Sequence, residues 1–250
     1  MKTLILTSYF SCKPHPNDPS DSAVVGRGAD GRVIQQSIEY IKKWYDSIHE
    51  SGVSAVVFHD ELSDAFVEEY TTENVSFNKV EVGDYSNNDW RFFCFHDYLD
   101  GLIDKPDIVF HTDGSDVRVV KDPVGLLGDN NDVSYFCCQD SIPLNMFPYM
   151  KVHDHFDWDD RFSFMLNYND WDLINMGVIG GSYGDMLLFY NKFKEVREEM
   201  GDPSFNSDMW ICQYLLRSVL SDKRFIIGDP VCSKYKEYEE DRTDVYFIHK

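Results

Sequence analysis

The spacing of apolar and polar positions changes period several times along this chain, and each change predicts a new element. Residues 3–10 alternate and are rich in β formers, which predicts a first strand. A polar loop with Pro14, Pro16 and Pro19 follows, and Val33 to Ile48 takes a helical period. Ser54 to Asp60 reads as a second strand, Leu62 to Tyr70 as a helix, and Val75 to Val82 as a third strand. Asn88 to Ile103 is a helix rich in aromatic residues, and 107–112, with Ile108, Val109 and Phe110, is a buried fourth strand. Val133 to Gln139 predicts another strand, Asp172 to Gly181 a strand with a glycine turn, 183–200 and 204–220 helices, and Arg224 to Ile227 and Val245 to His249 short late strands.

Strands alternating with helices imply an α/β fold with a twisted, mostly parallel central sheet flanked by helices, here with a small late β element. In such sheets ligands bind beyond the carboxyl ends of the strands. Segment 140–170 breaks the rhythm. It is long, aromatic and acidic with little periodicity, as an active-site lid or an acceptor-binding loop would be. No repeat, low-complexity tract or composition shift marks a boundary, so one domain is expected over 1–250.

At 250 residues the chain is long enough to bury a full core. Its formal net charge of −21 argues against nonspecific binding to nucleic acid or anionic membrane, both of which need a basic surface. A phosphorylated ligand would need a cation to offset the repulsion. The six cysteines show no C-x-x-C spacing, which predicts free thiols in a reducing compartment, with Cys137 and Cys138 on a strand. The apolar patch after Lys2 is short and hydroxyl-rich for a signal peptide, and no stretch approaches the ~20 apolar residues of a membrane span. A soluble, cytoplasmic protein is the expectation.

Chemistry concentrates at the end of the fourth strand. Gly114 and Ser115 let the backbone bend, which would bring Asp113 and Asp116 to one point, and hard carboxylate oxygens suit Mg²⁺ or Mn²⁺. A solvated acidic turn is the alternative. Gly26-Arg27-Gly28-Ala29-Asp30-Gly31 matches a dinucleotide fingerprint, but about fifteen residues separate it from the first strand, where the fingerprint should follow at once. Arg27 and Arg32 could meet a diphosphate or simply lie in solvent. His153, Asp154, His155, Asp157, Asp159 and Asp160 have no second ligand cluster to complete a zinc site, whereas Phe156 and Trp158 could stack on a sugar.

Asn175 to Ser182, with Gly177, Gly180 and Gly181, allows close backbone approach to a sugar or phosphate, or else tight packing of a strand. Asp208 lies at a helix start, where Asn206 or Ser207 could cap and where an acid compensates the helix dipole; the catalytic alternative is an acceptor-activating base. His249 follows an apolar strand near the end of the sequence.

In this order, Asp113 and Asp116, Asn175 to Gly181, Asp208 and His249 resemble the motifs of GT-A fold glycosyltransferases. The family pattern is Asp-x-Asp; Asp113-Gly114-Ser115-Asp116 is similar to the Asp-x-x-Asp form in the glycosyltransferase domains of collagen lysyl hydroxylases. The resemblance implies Mn²⁺ (or Mg²⁺) held by Asp113, Asp116 and His249, and a nucleotide-sugar donor, with UDP favoured. It also implies a glycan or other hydroxyl acceptor. Thr7, Ser8, Tyr9, Arg91 and Asp113 would border the nucleotide, with Tyr9 a stacking surface. Asn175, Gly177, Gly180, Gly181 and Trp158 would face the sugar or acceptor. Asp208 would be the base of an inverting reaction or orient the sugar in a retaining one. Residues 1–120 would form the nucleotide-binding half and 121–250 the acceptor-binding half. A nucleotide-sugar hydrolase, a nucleotidyltransferase and a noncatalytic carbohydrate-binding protein are the other readings; Lys13 without a nearby glycine is a poor match to a nucleotidyltransferase phosphate loop.

Overall fold

The computed structural model describes residues 1–13, 37–130, 132–144, 171–203, 206–237 and 239–250. The glycine motif with Arg27 and Arg32, the His153 to Asp160 cluster and Trp158 lie outside the described residues. The first half runs β1 (Thr3–Tyr9), α1 (Lys42–Ser51), β2 (Ser54–His59), α2 (Asp64–Tyr70), β3 (Val75–Lys79), α3 (Asn87–Asp100) and β4 (Ile108–Thr112). Then come β5 (Val117–Val119), α4 (Gly125–Asp129), β6 (Tyr135–Pro143), β7 (Asp172–Ser182), α5 (Tyr183–Met200), α6 (Asp208–Tyr214), β8 (Phe225–Ile227) and β9 (Phe247–His249).

Seven strands form one sheet in the order β3-β2-β1-β4-β7-β6-β8, and β5 pairs with β9 in a small antiparallel sheet. Successive side chains of a strand point to opposite faces, so each strand feeds two cores. Leu4, Leu6, Val56, Phe58 and Val109 pack with Phe92 of α3, Phe189 of α5 and Ile211 of α6 on one face. Ile5, Val57, Ile108 and Phe110 pack with Trp44, Phe66 and Phe247 on the other. Serine side chains start three helices: Ser63, Ser86 and Ser182 accept from Phe66, Asp89 and Asp185 amides, and Gly52 ends α1 at φ 69°. All six cysteines are free thiols. Among the described residues no helix is long and apolar enough to cross a membrane.

Strand direction and several element bounds differ from the expectation. The sheet is parallel at β1–β2, β2–β3, β1–β4 and β6–β8, but β7 runs antiparallel to both β4 and β6. Alternation of apolar residues reports burial and carries no sign of direction. Gly177, Gly180 and Gly181 lie inside β7 rather than in a turn. The helix expected over 33–48 is, in its described part, a 3₁₀ turn at Ile38–Tyr40 followed by α1, and that over 204–220 is α6 continued by a π-helical turn, Leu215–Val219.

One buried ion pair ties three helices together. Asp89 of α3 accepts from Arg197 Nε of α5 at 2.8 Å and from Ser207, just before α6, through the amide at 3.0 Å and the hydroxyl at 2.9 Å. Burial and the neighbouring Asp208 push the Asp89 carboxyl up to about 6, against the pull of Arg197. Removing one partner leaves a buried charge uncompensated. Arg197→Leu is expected to destabilise the fold by about 3–5 kcal/mol, read as a lower urea midpoint at unchanged denaturant slope.

Candidate active site

The acidic turn leaves the end of β4 beside β1, where the order of strands reverses direction across the sheet. Four hydrogen bonds hold it. Thr7 Oγ1 donates to the Thr112 carbonyl at 2.8 Å, and Trp44 Nε1 donates to Thr112 Oγ1 at 2.8 Å. The Asp113 amide donates to the Gly177 carbonyl at 2.8 Å, and the Lys250 amide to the Asp116 carbonyl at 3.2 Å. Gly114 is wedged among these groups: a Cβ there would stand 2.9 Å from Thr7 Oγ1 and 3.0 Å from Ile41 Cγ2.

The β5–β9 register sets Val117 opposite His249, which carries the imidazole to the acidic turn. His249 Nε2 lies 3.6 Å from Asp116 Oδ2, and donor atoms of Asp113, Asp116 and His249 all fall within 4.8 Å of one another. His249 is 1% exposed and its Nε2 has no hydrogen-bond partner. Buried polar atoms are ordinarily satisfied, and a nitrogen facing two carboxylates is what a bound cation would satisfy. Two carboxylates and one imidazole fit Mn²⁺ or Mg²⁺.

Charge in the site is balanced from α3. Arg91, 6% exposed, donates to Asp113 Oδ1 and, at 3.1 Å, to Asp208 Oδ2. Burial pushes the Asp113 carboxyl up, but Arg91 and then His249 outweigh it and lower its pKa. For Asp208, 3% exposed, burial wins over Arg91 and the pKa is raised. Burial disfavours a charged His249, yet Asp116 and Cys138 raise its pKa to about 10. The same surroundings favour a metal cation. His111, behind the turn, stays neutral: burial and then Arg91 lower its pKa to about 3, and its nitrogens meet Met176 O at 2.9 Å and Tyr190 Oη at 3.1 Å.

The structure thus brings Asp113, Asp116, His249, Arg91 and Asp208 together, and it moves other expected residues away from a ligand. Gly180 and Gly181 are buried in mid-sheet, where a Cβ would overlap the Phe110 ring and the Ser134 carbonyl respectively. Their close approach serves packing, which corrects the expectation of sugar contact. Gly177 faces His249, whose ring a Cβ would overlap. Asn175 is 8% exposed, donates to Asp140 Oδ2 at 2.9 Å and accepts from the Gly177 amide at 2.8 Å, so both ends of its carboxamide are engaged.

Tyr9 is 1% exposed, with its ring 4.9 Å from Tyr40 and its hydroxyl donating to Ser37 O at 3.1 Å. It is a wall here, not an open stacking surface; Thr7 is equally buried, and Ser8 is half-buried. Asp208 accepts from its own neighbour's amide, Met209, at 2.8 Å, and Ser207, at the N-cap position of α6, makes no side-chain cap.

Two contributors escaped the sequence reading. Cys138 Sγ sits 3.5 Å from His249 Nδ1, and the Tyr235 ring packs 4.3 Å from that of His249. The apolar run marked Cys138 as a strand residue but could not say what it packs against.

No protein-family model matches the chain, and no curated protein matches it. Among solved structures, the crystal structure of an active-site mutant of LgtC is similar, with a TM-score of 0.53 at 13% identity, covering 98% of this chain and 86% of that chain. At that identity the likeness is one of fold alone: the chain has a GT-A-like fold.

Gly177→Ala is expected to force the His249 ring off its position. The cost of overpacking should be about 1–3 kcal/mol, seen as a lowered urea midpoint.

Proposed function

We propose that the protein is a metal-dependent glycosyltransferase that moves a sugar from a nucleotide-diphosphate sugar, UDP-sugar favoured, to a hydroxyl acceptor such as a glycan. The observation that carries this reading is the Asp113, Asp116 and His249 donor set with an orphaned Nε2, placed at the carboxyl end of β4 in a GT-A fold. The Asp-x-x-Asp spacing, similar to that of collagen lysyl hydroxylase glycosyltransferase domains, supports the same assignment.

Asp113, Asp116 and His249 Nε2 would hold Mn²⁺ or Mg²⁺. Bound there, the cation would stabilise the charge that develops on the diphosphate as the anomeric bond breaks. The chain's own residues supply orientation. Arg91 ties Asp113 to Asp208, so the carboxylate on the metal side and the carboxylate at the start of α6 keep a set separation. Burial raises the Asp208 pKa, which makes it a stronger proton acceptor than a solvated aspartate, while the guanidinium aims its oxygens. In an inverting reaction Asp208 takes the acceptor hydroxyl proton; in a retaining one it orients the donor sugar. Donor binding falls mainly to 1–120 and acceptor binding to 121–250, with His249 returning from the second half to complete the donor side.

Three measurements test the reading. Calorimetric titration with UDP- and GDP-sugars, each with Mn²⁺ and with chelator, should show binding only with the metal; metal-independent binding of a plain glycan would favour a noncatalytic lectin-like role. Asp113→Ala should abolish the metal-dependent binding, and an unchanged isotherm would remove Asp113 from the ligand set. Asp208→Asn should leave donor binding intact and slow transfer by about 10²–10⁴-fold, so full turnover would confine Asp208 to its structural contacts.

A further inference from the structure

A histidine ligates a metal through a nitrogen that bears no hydrogen, so the hydrogen must sit on the other nitrogen. That choice is usually made by a carboxylate, carbonyl or water hydrogen-bonded to the far side of the ring. On the far side of His249 the nearest partner is a thiol. Cys138 Sγ lies 3.5 Å from Nδ1, and both residues are at most 1% exposed.

The thiol has one hydrogen and three candidate directions for it: the Ser233 carbonyl, the Gln139 carbonyl at 3.6 Å, and Nδ1. The Ser233 carbonyl stands 3.5 Å from Sγ and can only accept. With the hydrogen directed to Ser233 O, the sulfur offers a lone pair to Nδ1, Nδ1 carries the ring hydrogen, and Nε2 is left bare toward Asp113 and Asp116. The opposite sense, S–H into Nδ1, would put the hydrogen on Nε2, toward Asp116 Oδ2 at 3.6 Å, where it would close that nitrogen to a cation.

The frame around these groups is rigid. Ser233 is locked to β9 by its amide on Phe247 O at 2.9 Å and by its hydroxyl, which accepts from the His249 amide at 3.0 Å. Tyr235 covers the ring at 4.3 Å, and the bare Cα of Gly177 is closed against it. The pairing of β6 with β7 jumps from Cys137 opposite Ile179 to Cys138 opposite Asn175, and Gly177 lies in the looser stretch of β7 between them. The same irregularity therefore sets both the sulfur and the glycine against one imidazole.

We propose that Cys138 is a positioning residue for the metal centre: its sulfur accepts a hydrogen bond from Nδ1–H of His249, its own S–H is donated to the Ser233 carbonyl, and an unprotonated Nε2 is so turned toward Asp113 and Asp116. The inference rests on the reading above, in which Nε2 is a metal ligand. Donor atoms of Cys138, Cys232 and His249 also lie within 4.8 Å of one another, so a metal held by the two thiols and the ring is the competing arrangement.

The test begins with the full-length wild-type chain labelled with ¹⁵N-histidine. With diamagnetic Mg²⁺ added, the ring nitrogens of His249, assigned against His249→Gln, should resonate as a protonated Nδ1 and an unprotonated Nε2; an unprotonated Nδ1, with or without the metal, overturns the proposal. Mn²⁺ alone is then titrated and followed by the electron paramagnetic resonance signal of the free ion. Cys138→Ala should raise the Mn²⁺ dissociation constant about 10–100-fold, and Cys138→Ser, whose hydroxyl can accept and donate in the same directions, should return toward wild type. Wild-type affinity in Cys138→Ala overturns the proposal. So does a sulfur-to-cobalt charge-transfer band when Co²⁺ is added to the wild type, since the thiol would then be a ligand. If the wild type binds no Mn²⁺ while the neutral ring carries its hydrogen on Nδ1, the metal reading of the site fails and the assignment of the ring stands.

Discussion

Everything at this site depends on placing several carboxylates close together in a largely dehydrated space. Asp89 and Asp208 are buried and Asp113 is partly so, and unpaired charges in such surroundings cost several kcal/mol each. The chain answers with two arginines whose partners come from different elements. Arg91 spans Asp113 and Asp208, and Arg197 holds Asp89. Because Asp89 and Arg91 both belong to α3, the orientation of that one helix decides whether the acidic turn and the start of α6 can coexist. The serine cap at Ser86 and the aromatic packing of Phe92 against Phe193 at 4.0 Å fix that orientation.

Much of the fold was legible in the sequence, and for a simple reason. Strands buried on both faces read as apolar runs, and the helices between them keep a different period, so the number and order of the main elements followed from spacing. What spacing omits is direction and partner. The reversal of β7 and its pairing between β4 and β6 are properties of the connected chain. Val117 to Val119 is too short to stand out from the turn that precedes it, yet without that strand the imidazole would have no reason to meet Asp116.

The candidate site was legible by residue type more than by contact. Aspartates after a buried strand and a histidine after an apolar one are chemically loud, and the structure gathers them. Glycines are ambiguous, because close approach by a ligand and close approach by a neighbouring ring require the same missing side chain. Gly180 and Gly181 prove to face Phe110 and Ser134, and Gly177 the His249 ring. Tyr9 carried the opposite error: an aromatic at a strand end suggested an open stacking face, whereas Tyr40 and Phe66 already occupy its surroundings. Cys138 was recognised as a strand residue, but its partner lies 111 positions away in the chain.

The pairing of β5 with β9 also has a kinetic side. Val117 and His249 meet across about 130 residues, so the strand pair closes a very long loop and contributes nothing until most of the intervening chain has folded. The two donor types are thus assembled by one of the least local contacts in the molecule. A cation gripped by both ends of that loop would act as a removable clasp. Its release would loosen the late strand first, and regional hydrogen exchange along 245–250 would report the state of the centre before the main sheet registered any change.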